Sequence, residues 1–69
     1  MDIINVFGKN VRLFREKKGI SQEKLAELSG LHRTYISDIE RFQRSISLSN
    51  VQKIADALEI ETYLLFVEK

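Results

Sequence analysis

Apolar residues return at every third or fourth position along almost the whole chain, a spacing that predicts helices throughout and no strand. From about Asn5 to Lys18, Phe7, Val11 and Phe14 recur at i, i+4 and i+7, with Ile3 and Ile4 extending the stripe backwards. Gly19 ends this first helix, whose last turn holds Lys17 and Lys18, the sign that the helix dipole favours there. Ser21 is a good N-cap for a second helix with Glu23 in its first turn, although Lys24 stands where a full capping box wants Glu. Leu25 and Leu28, at i and i+3, direct one stripe of that helix to the core, and the small Ala26 lets another helix cross closely. Gly30 falls where the chain must turn, and Leu31 plugs the turn. Ile36 and Ile39 repeat the spacing on a third helix, Arg33 to about Arg41, preceded by His32. A polar loop follows from Phe42 to Ile46, with Arg44 near its middle. Ser47 can cap a fourth helix with Leu48, Val51, Ile54, Ala55 and Leu58 at core spacing, and Thr62 a short fifth one, YLLFVEK.

The pair of short helices from about 22 to 41, joined at Gly30 by a turn of three or four residues, has the form of a helix-turn-helix. Core packing consumes Ile36 and Ile39, so Arg33, Thr34, Ser37, Asp38 and Arg41 occupy faces that cannot all be buried. The competing reading is an ordinary helical hairpin. The combination of Gln22, Ala26, Gly30, Ile36 and Ile39 favours the DNA reader.

Sixty-nine residues form one domain, 1–69, with a small core. The chain lacks cysteine and proline, carries one histidine and has no cluster of acids, so no disulfide framework and no metal site is expected. No basic segment followed by an apolar run opens the sequence, and no stretch approaches the roughly 18 apolar residues of a membrane span; a cytoplasmic protein is expected. Net charge is only +1, but residues 1–53 hold ten Lys/Arg against six Asp/Glu, while residues 54–69 hold one against four. The basic part contains the helix-turn-helix, and the acidic end is unsuited to a phosphate backbone. An enzyme reading has little to stand on: there is no glycine-rich phosphate loop, no cysteine nucleophile and no convincing pair of carboxylates.

From Phe7 to Ile60 the chain resembles the lambda repressor/Cro-type helix-turn-helix domains, the XRE family, on Arg12, Arg15, Lys18, Gly19, Ser21, Gln22, Glu23, Leu25 and Ala26. The resemblance implies a compact, all-α, five-helix DNA-binding domain. The segment LHRTYISDIER and the ISLSNVQKIADALEI beyond it look most like the small controller proteins of bacterial restriction–modification systems. What this implies is a dimeric transcription regulator that controls restriction–modification genes, its own included. Its implied partners are double-stranded DNA and a second copy, with RNA polymerase as a further candidate; no cofactor is implied.

Arg15 and Glu40 match the family's ion pair between the first and third helices, and Gln22 matches a glutamine that bonds a phosphate and braces the recognition helix. A plain surface glutamine is the alternative for Gln22. Base reading falls to the start of the third helix. Arg33 presents a fork that suits guanine O6 and N7, and Thr34 offers a hydroxyl to a base or a methyl to thymine. Tyr35 can pack one face on the scaffold while its hydroxyl meets a phosphate or base edge. Arg12, Ser37 and Arg41 are candidate phosphate contacts, His32 a cap or phosphate neighbour, and Arg44 can reach either backbone or base. Asp38 restrains Arg33 or Arg41, or else selects cytosine.

Tyr63, Leu64, Leu65, Phe66 and Val67 are five successive apolar residues in a tail, about 61–69, of under two helical turns. They point in all directions, so the tail is expected to form a dimer interface, backed by Val6 and Leu13; folding over the core of a monomer is the other possibility. A second function class also stays open, an antitoxin-like protein-interaction module that keeps the fold.

Overall fold

The computed structural model describes residues 1–68, and all regular structure among them is helical. In chain order there are α1 (Ile3–Lys18), α2 (Gln22–Ser29), α3 (Arg33–Glu40) and α4 (Leu48–Leu58), followed by a 3-10 helix, Thr62–Phe66. The first helix starts at Ile3, where the backward extension of the stripe begins and two residues before the expected Asn5, because the Asp2 carboxylate accepts hydrogen bonds from the N–H groups of Ile4 (3.1 Å) and Asn5 (3.4 Å). Ser21 and Ser47 cap α2 and α4 as expected, their hydroxyls accepting from the N–H groups of Lys24 and Asn50. Gly19 and Gly30 end α1 and α2 in the left-handed conformation, with φ of 74° and 75°.

The core is built from Phe7 and Val11 of α1, Leu25 and Ala26 of α2, Ile36 and Ile39 of α3, and Val51, Ile54, Ala55 and Leu58 of α4, with Leu65 added by the tail. Two expected core positions lie outside it. Leu28 is 47% exposed, because Leu25, Ala26 and Ser29 form the inward face of α2 and Leu28 stands roughly 100° round the helix from its centre. Leu48 is 84% exposed, because α4 begins a full turn before Val51, where the core starts. Thr62 caps nothing with its side chain; Glu61 holds the capping position of a tighter, 3-10 segment.

The tail is held inside the protomer. The buried Asn10 side-chain amide donates to the carbonyl oxygens of Leu65 (3.0 Å) and Val67 (2.9 Å), and the rings of Phe7 and Phe66 pack at 5.4 Å between centroids. Leu65 is fully buried, which corrects its assignment to a dimer surface: it belongs to the protomer's own core. Tyr63, 66% exposed, and Val67, 41% exposed, remain outside, with Leu64 and Phe66 half-buried. Val6 and Leu13 do lie beside the tail, sharing a groove with Asn10 and Val67. The last position of the proposed tail, Lys69, lies outside the described residues.

Candidate nucleic-acid interface

Three residues separate α2 from α3. The N–H groups of Gly30 and Leu31 both donate to the carbonyl of Ala26, so the chain turns tightly and Leu31 packs against the core. The N-terminal end of α3 then stands at the surface. His32 caps it: Nδ1 accepts from the Thr34 N–H at 3.2 Å. With Nδ1 engaged as an acceptor, Nε2 is the ring nitrogen left for another partner.

α3 is fixed from behind by a polar triad. Arg15 of α1 donates from Nε to Glu40 Oε2 (2.7 Å) and from Nη2 to Oε1 (3.0 Å), while its Nη1 donates to the carbonyl of Ile20 (2.8 Å). The Gln22 side-chain amide adds a third donor to Glu40 Oε1 at 3.1 Å. Only 4% of the Glu40 side chain and 13% of that of Arg15 are exposed, so this is a nearly dry pair with every acceptor satisfied. The hydrogen bond from Arg15 to Glu40, with the attraction between them, raises the Arg15 pKa against its burial. Gln22 braces α3 through that bond, and its second amide N–H is left for an outside acceptor.

On the outer side, Arg33 and Thr34 are exposed on the first turn of α3. Arg33 lines a depression with Arg15, Ser21, Gln22 and Glu23 at the start of α2. Thr34, Tyr35 and Arg44 share a second depression with Leu31, His32 and Asn50. Tyr35 is half-buried: the guanidinium of Arg44 lies 4.8 Å over its ring, and its hydroxyl accepts from the Asn50 side-chain amide at 3.1 Å. Sequence reasoning missed Asn50, because nothing local to α4 signals a partner fifteen residues earlier. Asp38 restrains Arg41 and Arg44, at 2.5 and 3.4 Å, and makes no ion pair with Arg33 among the described residues. The hydrogen bond from Arg41, then that from Arg44, holds the Asp38 carboxyl below the usual carboxylate range. Ser37 is half-buried on the same helix, and Arg12 is exposed on α1, paired with Glu16 at 3.1 Å.

The loop after α3 leaves in a fixed direction. The N–H of Phe42 donates to the carbonyl of Ile39 and that of Gln43 to Asp38, the double bond of a Schellman ending. Its left-handed position, usually glycine, is taken by Phe42 at φ 63°.

A short recognition helix, buttressed from behind and cationic at its exposed start, is the working part of one known family. The helix-turn-helix family profile matches residues 11–65. The chain belongs to the helix-turn-helix family. It is of the XRE type, as the residues from Arg12 to Ala26 suggest. It is similar to the control protein C.SmaI of Serratia marcescens, 50% identical over 58 residues that cover 84% of this chain and 69% of that protein. A "Neisseria hypothetical transcription factor" from Neisseria meningitidis is 48% identical over 66 residues; the match spans 96% of this chain and 62% of that relative. Among solved structures, the restriction–modification controller protein C.AhdI from Aeromonas hydrophila superposes with a TM-score of 0.89 at 51% identity, covering 91% of this chain and 96% of that one.

Proposed function

We propose that the chain is a sequence-specific DNA-binding transcription regulator that acts as a homodimer on a palindromic operator and controls restriction–modification genes, its own among them. The observation that carries this reading is the exposed first turn of α3, Arg33 and Thr34 with Tyr35 behind them, on a helix locked by Arg15, Glu40 and Gln22. An N-terminal recognition-helix turn entering the major groove puts the Arg33 fork within reach of a guanine and Thr34 within reach of its neighbour. Arg44, stacked on Tyr35, reads from the loop side, while Arg12, Gln22, His32, Ser37 and Arg41 serve the phosphates.

Homodimer formation follows from what the tail leaves uncovered. Tyr63, Val67 and the exposed edges of Leu64 and Phe66 form the partner-facing surface, extended by Leu48, which shares a groove with Ile60 and Phe66. Two recognition helices about 34–36 Å apart then meet successive major grooves. The protein works in the cytoplasm on the nucleoid, and RNA polymerase is its further partner where an operator adjoins a promoter. No helix among the described residues is long and apolar enough to cross a membrane.

Selection of bound duplexes from a random pool tests the reading. The expected result is a two-fold symmetric site with half-sites one helical turn or a small multiple apart. Failure to enrich any sequence, together with stable capture of a non-identical protein, would replace it with the interaction-module reading.

A further inference from the structure

Asp38 is the acid of α3 that faces the arginines after that helix, and the structure shows which of them it holds. Its Oδ1 accepts from Arg41 Nη2 and its Oδ2 from Arg44 Nη2, so one carboxylate holds both arginines that follow α3. Arg44, so held, lies over the ring of Tyr35, and Tyr35 is tied in turn to Asn50 of α4. The series Asn50, Tyr35, Arg44, Asp38, Arg41 therefore joins α4, the loop and α3 into one arrangement.

Sequence-independent binding to DNA comes from Lys and Arg side chains neutralising phosphates and releasing counterions. An arginine already neutralised by a carboxylate contributes to that effect only after its ion pair breaks, and the carboxylate itself repels the backbone. On a cognate site the balance differs. Base contacts fix the helix in register, and a guanidinium stacked on Tyr35 meets its target without being reorganised. Resting on the regulator reading above, we infer that Asp38 is a specificity-determining residue: it withholds Arg41 and Arg44 from indiscriminate phosphate binding while keeping Arg44 stacked on Tyr35, poised for the cognate site. The acid sets the difference between the two affinities, and touches no base itself.

The test compares the full chain with its Asp38→Asn variant on two duplexes of equal length, the selected site and a scrambled one, over a range of salt concentrations. Asp56→Asn on α4 is the control, since it removes the same charge from a residue with no ion pair among the described residues. For Asp38→Asn, affinity for scrambled DNA rises several-fold and its log–log salt slope steepens by about 1–2, roughly 0.9 for each arginine released. Affinity for the selected site stays level or falls, so the specificity ratio drops about tenfold. When Arg41 and Arg44 are both replaced by Gln, the Asp38→Asn change raises affinity for both duplexes alike, by relief of repulsion alone, and no longer alters the specificity ratio. A melting curve checks that each variant is folded. Equal gains on both duplexes, as for Asp56→Asn, or an unchanged salt slope would overturn the inference alone. A parent chain that binds every duplex alike would overturn the regulator reading, and this inference with it.

Discussion

Gly8 of α1 and the carbonyl oxygen of Ile39 on the recognition helix meet so closely that a Cβ on Gly8 would stand 2.4 Å from that oxygen and 2.8 Å from the ring of Phe42. The glycine sets the distance between α1 and α3, and its notch accepts the aromatic ring of the left-handed Phe42. Alanine at this position would gain about 1 kcal/mol in helix propensity. The gain is outweighed, because the obstructing atom is backbone and α3 must move away to admit a methyl group. Gly8→Ala is expected to destabilise the fold by about 1–3 kcal/mol in thermal or urea melts. A variant more stable than the parent would show that the two helices can separate freely.

The Arg15–Glu40 pair bridges α1 and α3, and we propose that it serves stability and not the DNA surface. Its near-complete burial means that removing one partner strands the other, at a cost of about 3–5 kcal/mol. Glu40→Gln should therefore lower the melting temperature with no DNA present, although losing a negative charge favours phosphate binding. A double-mutant cycle on Arg15 and Glu40 measures the coupling. Coupling near zero, or an Arg15→Ala variant that melts like the parent but loses its salt-dependent affinity, would make Arg15 a phosphate contact.

Arg33 is exposed on the first turn of α3 and is held by no ion pair among the described residues, so its fork is free for a base. Arg33→Ala should weaken binding to the selected site by about 1–3 kcal/mol and relax preference at one guanine per half-site. Equal losses on selected and scrambled duplexes would reduce Arg33 to a phosphate contact.

The tail divides into residues that hold the protomer together and residues that face outward. Leu65→Ala should cost about 2–5 kcal/mol of folding stability, as expected for a fully buried leucine. Replacing the exposed Leu48 and Tyr63 with Ser should leave the fold intact and shift sedimentation toward monomer. A dimer that survives the double replacement would place the interface elsewhere, with the groove of Val6, Leu13 and Val67 next in line.

What the sequence made legible was the part governed by local rules. Serine caps, left-handed glycines and 3.6-residue spacing located α2, α3 and α4, and family spacing located the Arg15–Glu40 pair. Leu28 and Leu48 misled because spacing reports which residues share a stripe and not where a neighbouring helix lies or where the core stops. The Asn10 anchor of the tail and the Asn50 bond to Tyr35 span 55 and 15 residues, beyond any local pattern. Phe42 stands where glycine is the usual signal, and only the notch at Gly8 explains how the ring is accommodated. Asp38 is open in the sequence for a different reason: Arg33, Arg41 and a cytosine are all possible partners, and the direction of the loop both favours Arg41 and brings up Arg44, which no local pattern pairs with it.

Acid should loosen two places at once. Glu59, left-handed at φ 60° and closing α4, accepts a hydrogen bond from the Lys18 ammonium at the end of α1; that bond, with the attraction of the charge, holds its carboxyl below the usual range. Asp38 is held low by Arg41 and Arg44. For a carboxyl whose folded pKa is depressed, the stability it contributes is present above the unfolded value, about 4, and is lost as pH falls through the folded one. Melting temperature should accordingly decline below about pH 4, and less steeply in Glu59→Gln than in the parent. Glu59→Gly separates backbone from charge: it frees the left-handed position of strain while removing the pair, so it should flatten the acid decline without lowering the melting temperature at neutral pH. If both variants keep the parent's acid slope, the Lys18–Glu59 contact contributes nothing to stability, and the end of α4 is held to α1 by packing alone.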